Sequence, residues 1–167
     1  MPTPRPIESA DRDLIRRFLI QRWGSATIML DGRAIDAAAL PGFVAFDDAD
    51  NGIAGLMTLL HDAEQTEIVT LDAITPRSGL GTTLVELAAQ RARAMGLQRL
   101  LTRTTNDNLE ALRFYQRRGF RLYRLAAGAI DLERETNPEI ALLGRHGIPL
   151  RDEISLVRVL DEAMGSS

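Results

Sequence analysis

An α/β fold is what this sequence predicts, and three observations carry the prediction. The stretch Glu67-Ile68-Val69-Thr70-Leu71-Asp72-Ala73-Ile74 is rich in β-branched and apolar residues, which suit a buried strand. A glycine-bearing turn, Thr75-Pro76-Arg77-Ser78-Gly79-Leu80-Gly81-Thr82, leads from it into a helical pattern running to Met95-Gly96. A second strand, Arg99 to Arg103, passes through Thr104-Thr105-Asn106-Asp107-Asn108 into a further helix, Leu109 to Arg118, closed by Gly119-Phe120. Strand, glycine turn and helix in that order build a site for an anion. Glycines let the backbone approach closely, and the helix start offers unpaired N–H groups at the positive end of its dipole.

Taken from the start, Arg5 to Glu8 suits a short edge strand, where prolines are tolerated. Ser9 is placed to cap a helix, with Asp11 and Asp13 favourable to its dipole. Leu14, Ile15, Phe18, Leu19 and Trp23 then recur at helical spacing until Gly24, a pattern that expects Trp23 in the core. Thr27 to Leu30 reads as a strand before the Asp31-Gly32 turn, and Pro41-Gly42 leads into the strand Phe43 to Phe46. Asp47 to Gly52 is a polar hairpin turn, without the twelve-residue spacing and terminal glutamate of a calcium loop. Ile53 to Leu60 returns as a strand, and His61 to Gln65 turns the chain into the next one, which begins near Thr66.

In the helix after the glycine turn, Leu84, Leu87, Ala88, Arg91 and Met95 follow helical spacing, and Gly96 suits the position just past its end. Asp107, three residues before Glu110, makes a capping-box pattern and is the expected cap of the next helix, whose Arg117 and Arg118 complement the dipole. Phe120 to Leu125 is a strand, and a short helix is expected around Ile130 to Glu135. Thr136-Asn137-Pro138 and Gly147-Ile148-Pro149 are breaks, and Glu153 to Leu160 reads as the last strand.

The 167 residues suit one domain, spanning 1–167, with 45% apolar and 26% charged residues. A formal charge of −3 gives no reason to expect nucleic acid or an anionic membrane as partner. There is no cysteine, hence no disulfide, thiolate metal site or cysteine nucleophile, and no lysine. His61 and His146 make no metal-ligand spacing, so no metal is expected. The first residues lack the apolar run of a signal peptide and no run is long enough to span a bilayer, so a cytoplasmic location is the default expectation.

By itself the Gly79-Leu80-Gly81 pair is weak, because Leu84 stands where the dinucleotide fingerprint wants a third glycine. The companion segment is more specific. Asn108-Leu109-Glu110-Ala111-Leu112-Arg113-Phe114-Tyr115, followed by Arg118-Gly119-Phe120, resembles the Asn-x-x-Ala-x-x-Phe-Tyr…Gly-Phe segment of the GCN5-related N-acetyltransferase (GNAT) family. The turn before it resembles that family's acetyl-CoA pyrophosphate loop. The match is tight from Glu67 to Phe120. It implies the GNAT fold, a mixed central sheet of about six or seven strands with helices on both faces. The acetyl-CoA-binding core would lie at about 67–125. Residues 126–151 would be an extended connection before the last strand, longer than is usual in the family, and either a lid, an acceptor-pocket wall or a dimer contact.

The resemblance also implies a chemistry, transfer of acetyl from acetyl-CoA to an amine by direct attack in a ternary complex. The acceptor would be a small-molecule or peptide amine, and a homodimer is left open. The backbone of Arg77, Ser78, Gly79, Leu80, Gly81 and Thr82 would hold the pyrophosphate, and that of Ala73 and Ile74 the pantetheine arm and the carbonyl. Asn108 and Arg113 would add cofactor contacts. Pro76 stands where the family usually has arginine or glutamine, which puts one side-chain phosphate contact in doubt. Tyr115 matches the tyrosine that faces the leaving sulfur, though a buried aromatic beside Phe114 is the plainer role. Glu67 matches the position of a catalytic glutamate in some members, with Asp72 or ordered water as rival bases and a solvated strand-end carboxylate as the bland alternative. Eight acidic residues between Asp31 and Glu67, against Arg33 alone, raise the expectation of a cationic acceptor, although acidic turns are usually just solvated. Two other readings stay open: a non-catalytic acyl-CoA-binding regulatory module, and an enzyme using another acyl-CoA.

Overall fold

The computed structural model describes residues 1–75 and 77–161, so Pro76 lies outside the described residues. The chain forms two compact units, the first ending at Leu97 and the second starting at Gln98. Among the described residues the main sheet has seven strands and is accompanied by four α-helices, in line with the expected α/β class and strand count.

In the first unit the strands are β1 (Arg5–Pro6), the small hairpin β2 (Thr27–Leu30) and β3 (Arg33–Asp36), β4 (Gly42–Phe46), β5 (Ile53–His61) and β6 (Gln65–Ala73). Its helices are α1 (Arg12–Trp23) and α2 (Leu80–Ala94). The main-sheet strands run in the order β1-β4-β5-β6, with each neighbouring pair antiparallel. Register sorts their side chains into two faces. Val44 and Leu56 face α1 and join Ile15, Leu19, Ala37 and Ala38 in a buried core. The opposite face carries Gly55, on which a Cβ would meet Leu80 Cδ2 of α2 at 2.6 Å, so only glycine lets α2 settle there. Leu80, Leu84, Val85, Ala88, Ala89 and Ala92 make the buried stripe of α2, with alanines allowing close approach. Met95, counted on that stripe by spacing, lies past the helix end and is exposed.

Two expectations about α1 need correction. Ser9 is not its cap: it starts a single 3-10 turn, Ser9–Asp11. The organising side chain is Asp11, whose Oδ2 accepts from the Glu8 N–H at 2.8 Å while Arg5 binds both carboxylate oxygens at 2.8 and 2.9 Å. Trp23 is not a core anchor either, being 47% exposed. Its indole N–H donates to Asp72 Oδ2 at 2.9 Å, because the ring stands at the helix end, where Gly24 turns the backbone to φ 81°.

The second unit holds β7 (Arg99–Thr105), α3 (Leu109–Arg117), β8 (Arg121–Ala126), α4 (Ala129–Thr136) and β9 (Glu153–Val159). Strand order is β7-β9-β8, antiparallel throughout, so the last strand lies between the other two. The short helix expected near 130–135 is α4. Its Arg134 ties the following connection down, donating to the carbonyls of Ile140, Ala141 and Leu150.

Candidate active site

The glycine turn in the first unit has the backbone that an anion site needs. Arg77 (φ 62°) and Gly79 (φ 84°) are left-handed, which swings the chain from β6 into α2. Apart from Gly79 itself and its two chain neighbours, no atom of a described residue comes within 4 Å of where a Gly79 Cβ would stand, so the outer side of the turn is open. The Ser78 hydroxyl accepts from the Leu80 N–H at a long 3.4 Å, and the first intrahelical bond runs from the Thr83 N–H to the Gly79 carbonyl at 3.0 Å. The first-turn N–H groups of α2, those of Leu80, Gly81 and Thr82, thus precede any intrahelical acceptor. That first turn has no acidic side chain to repel an anion. Leu80 also anchors the turn, its side chain buried against Gly55. Arg77 is exposed.

At the end of β6 the two expected backbone contacts separate. The Ile74 N–H donates to the Ala54 carbonyl at 2.9 Å, so it is committed to the sheet. Ala73, opposite Gly55, is consequently a non-hydrogen-bonded partner, and its N–H and C=O point away from β5. Ala73 is therefore the better placed of the two to meet a ligand.

Glu67 and Asp72 lie on one face because β6 contains a bulge. Thr58 pairs with Thr70 but Leu59 pairs with Ile68, leaving Val69 without a partner. The regular strand β5 gives the facing: Leu60, Thr58 and Leu56 share a side, so their partners Glu67, Thr70 and Asp72 do too. This is the α1 side, and it carries a polar row in an otherwise apolar layer. The Thr58 and Thr70 hydroxyls bond each other at 2.7 Å, both buried. Glu67 is only 6% exposed, which corrects the picture of a carboxylate in solvent. Asp72 accepts from Arg22 Nε at 3.1 Å and from the Trp23 indole at 2.9 Å, so each of its oxygens has a fixed donor.

Four of the eight acidic residues between Asp31 and Glu67 hold local structure, which leaves their charge in place. Asp47, Asp50 and Asp62 accept backbone N–H bonds within their own turns. Asp36 pairs with Arg16 and caps the Ala37–Ala39 turn.

In the second unit, Asn108 and not Asp107 is the N-cap of α3. Asn108 Oδ1 accepts from the Ala111 N–H at 3.2 Å. The Asp107 carboxylate instead accepts from the Thr105 hydroxyl at 2.5 Å and the Arg145 N–H at 2.8 Å. Burial alone raises the Asp107 pKa, but these hydrogen bonds outweigh it and hold the carboxyl below its ordinary value. The capping-box spacing missed this because Asp107 is held by residues far along the chain. Arg113 is exposed on α3. Tyr115 is buried with its ring edge-on to Phe114 and Phe120, centroids 5.2 and 5.1 Å away. The Arg118 N–H and Phe120 N–H both close on the Tyr115 carbonyl, fixing the end of the helix.

A family model, acetyltransferase (GNAT) family, matches residues 12–120. The chain belongs to the GNAT acetyltransferase family. It is 37% identical over 155 residues to the Bacillus subtilis protein YxbD, whose activity is uncharacterised, covering 93% of this chain and 97% of that one. A GNAT family acetyltransferase from Elizabethkingia anophelis with acetyl-CoA bound shares the fold, with TM-score 0.65 and 21% identity over 95% of this chain and 97% of its own. A Bacillus subtilis acetyltransferase in complex with CoA does likewise, with TM-score 0.68 and 18% identity over 96% of this chain and 100% of its own.

Proposed function

We propose that the chain, read as one catalytic domain over residues 1–167, transfers acetyl from acetyl-CoA to an amine acceptor. The observation that carries this is the turn at Arg77–Thr82, a left-handed glycine opening a helix start that is free of acidic side chains. Its N–H groups bind the pyrophosphate, and Ala73, Ile74, Asn108 and Arg113 hold other parts of the cofactor. The amine nitrogen attacks the thioester carbonyl carbon; a C–N bond forms and the C–S bond breaks. Charge developing on the carbonyl oxygen meets the outward Ala73 N–H, a type of donor worth about 2.7–4 kcal/mol in the transition state. The amine proton passes to Glu67, which is preferred to Asp72 because both Asp72 oxygens already have donors. Tyr115 stabilises the departing thiolate.

The test is thiol release from acetyl-CoA across a panel of amines, with CoA affinity measured alongside by calorimetry. At least one amine should give turnover that saturates in both substrates. Micromolar CoA binding without turnover on any amine points instead to a regulatory acyl-CoA-binding module. Faster turnover with a longer acyl chain would reassign the donor.

A further inference from the structure

The extended connection folds back on the start of α3, and what it does there is specific. Leu143 and Pro149 form an isolated antiparallel bridge, and the Gly144 N–H donates to the Ile148 carbonyl at 2.8 Å, so residues 143–149 make a small closed loop. That loop is fastened to the turn before α3. Arg145 gives its backbone N–H to Asp107, and a Cβ on Gly144 would meet Asp107 Oδ2 at 2.1 Å, so only glycine permits the approach. His146, held at φ 59°, reaches Glu110 Oε1 at 2.6 Å. Asn106 adds a second fastening, donating to the Pro149 carbonyl and accepting from the Arg151 and Asp152 N–H groups.

With its backbone so placed, Arg145 sends Nη1 to Asn108 Oδ1 at 2.8 Å. The same oxygen already accepts from the Ala111 N–H at 3.2 Å. An amide oxygen has two lone pairs, and here both are used. Both partners are donors only, so a flipped amide would set its NH₂ against two N–H groups. The orientation is thereby fixed, and Nδ2, with no partner among the described residues, is the part of Asn108 left to meet a ligand. A capping bond alone leaves the amide free to pivot about that one contact. The second bond, charge-assisted and from the far side of the sequence, removes the pivot.

We propose that Arg145 is a positioning residue for Asn108: it locks the amide so that Nδ2 donates to an acceptor oxygen of the bound CoA. This rests on the reading of Asn108 as a cofactor contact and adds a task for the connection that the sequence left open. The residue does not itself touch the cofactor in this account; it acts through Asn108.

The experiment measures CoA affinity by calorimetry and melting temperature for the full chain carrying Arg145→Met, Arg145→Lys, Asn108→Ser, Glu110→Gln, and the Asn108→Ser/Arg145→Met pair. Serine keeps the capping oxygen and loses the amide, and the backbone bond from residue 145 to Asp107 survives every variant. Arg145→Met is expected to weaken CoA by about tenfold, on the scale of one charge-assisted bond, with melting little changed. Lysine, which retains one donor, should restore part of that loss. The double variant should bind no more weakly than Asn108→Ser, and Glu110→Gln should bind as the parent does. If Asn108→Ser binds CoA normally, the cofactor role of Asn108 is wrong and the proposal goes with it. If Asn108→Ser is weakened but Arg145→Met is not, or if the two losses simply multiply, Asn108 keeps its role and Arg145 loses the one proposed. An equal loss in Glu110→Gln, which takes the charge 3.9 Å from Arg145 Nη1 as well as the His146 partner, would place the effect in the Glu110 contacts and not in the bond to Asn108, and would likewise overturn it.

Discussion

Replacing Tyr115 by phenylalanine separates chemistry from packing. The substitution removes one hydroxyl and leaves the ring, so the edge-on contacts to Phe114 at 5.2 Å and Phe120 at 5.1 Å persist. Each such contact is worth about 0.5–1.5 kcal/mol beyond buried area, and both are retained. Stability should therefore change by roughly 1 kcal/mol or less, the range of a single hydrogen bond. Tyr115→Ala is the contrasting control. It loses both ring contacts and leaves a cavity, costing roughly 3–5 kcal/mol. At about 2–4 °C per kcal/mol for a chain of this size, that is a melting shift of roughly 6–20 °C. In turnover, Tyr115→Phe should lower kcat by about 10²–10⁴ if the hydroxyl passes a proton to sulfur, and by less if it only donates a hydrogen bond. The second case is physically reasonable. A phenol near ~10 protonating a thiolate near ~8.5 runs uphill by roughly 2 kcal/mol when neither group is shifted. The assay is initial-rate thiol release with a verified amine acceptor, with CoA affinity from calorimetry. Unaltered kcat in a variant that melts and binds CoA like the parent would remove Tyr115 from the reaction.

Three further predictions follow from the first unit. Gly79→Asp adds about 1–2 kcal/mol of left-handed strain and a like charge beside the pyrophosphate, so CoA affinity by calorimetry should fall at least about tenfold; an unchanged value would refute the loop assignment. Trp23→Phe takes one of the donors from the buried Asp72 and should lower urea stability by about 1–3 kcal/mol, whereas a merely exposed ring would change it by under about 0.5 kcal/mol. The hydrogen bond from Arg5 outweighs burial and holds the Asp11 carboxyl below its ordinary pKa. The stability it contributes is present above that ordinary value and disappears as pH falls through the depressed one. Asp11→Asn should flatten the acid limb of a stability-against-pH curve, and an unchanged limb would show that the pair contributes nothing.

Much of this layout was legible because it depends on local rules. Glycines at 24 and 96 mark helix C-terminal ends, and each has the positive φ that such ends need. The hairpin at Asp47–Gly52 closes with the Asp47 N–H on the Gly52 carbonyl at 2.8 Å, as its composition suggests. The misreadings have other causes, each of which local spacing does not report. Trp23 looked like core because helical spacing says which side a residue takes, and not whether the helix has reached its end. Asp107 looked like a cap because Arg145, thirty-eight positions on, cannot be seen in a four-residue pattern. The strand Arg33–Asp36 went unseen since Ile35 is its only large apolar residue.

The placement of Glu67 is the instructive case, since neither its burial nor its facing follows from counting. In plain alternation along β6, Glu67 would share a side with Val69, Leu71 and Ala73, toward α2. Its neighbours there would be the residues opposite Gly55 and Met57, where Leu80 and Leu84 pack. The unpartnered Val69 resets the alternation by one, so the three paired residues before it change sides relative to the four after. Glu67 thereby joins Thr58, Thr70 and Asp72 on the α1 side, where hydroxyls and a second carboxylate already interrupt the apolar layer. A buried carboxylate is costly in a purely apolar layer and far less so in a row that already carries polar groups. The bulge thus does two things with one residue. It carries the proposed base away from the α2 packing, and it leaves the end of β6 in register, with Ala73 opposite Gly55 and its N–H and C=O directed away from β5.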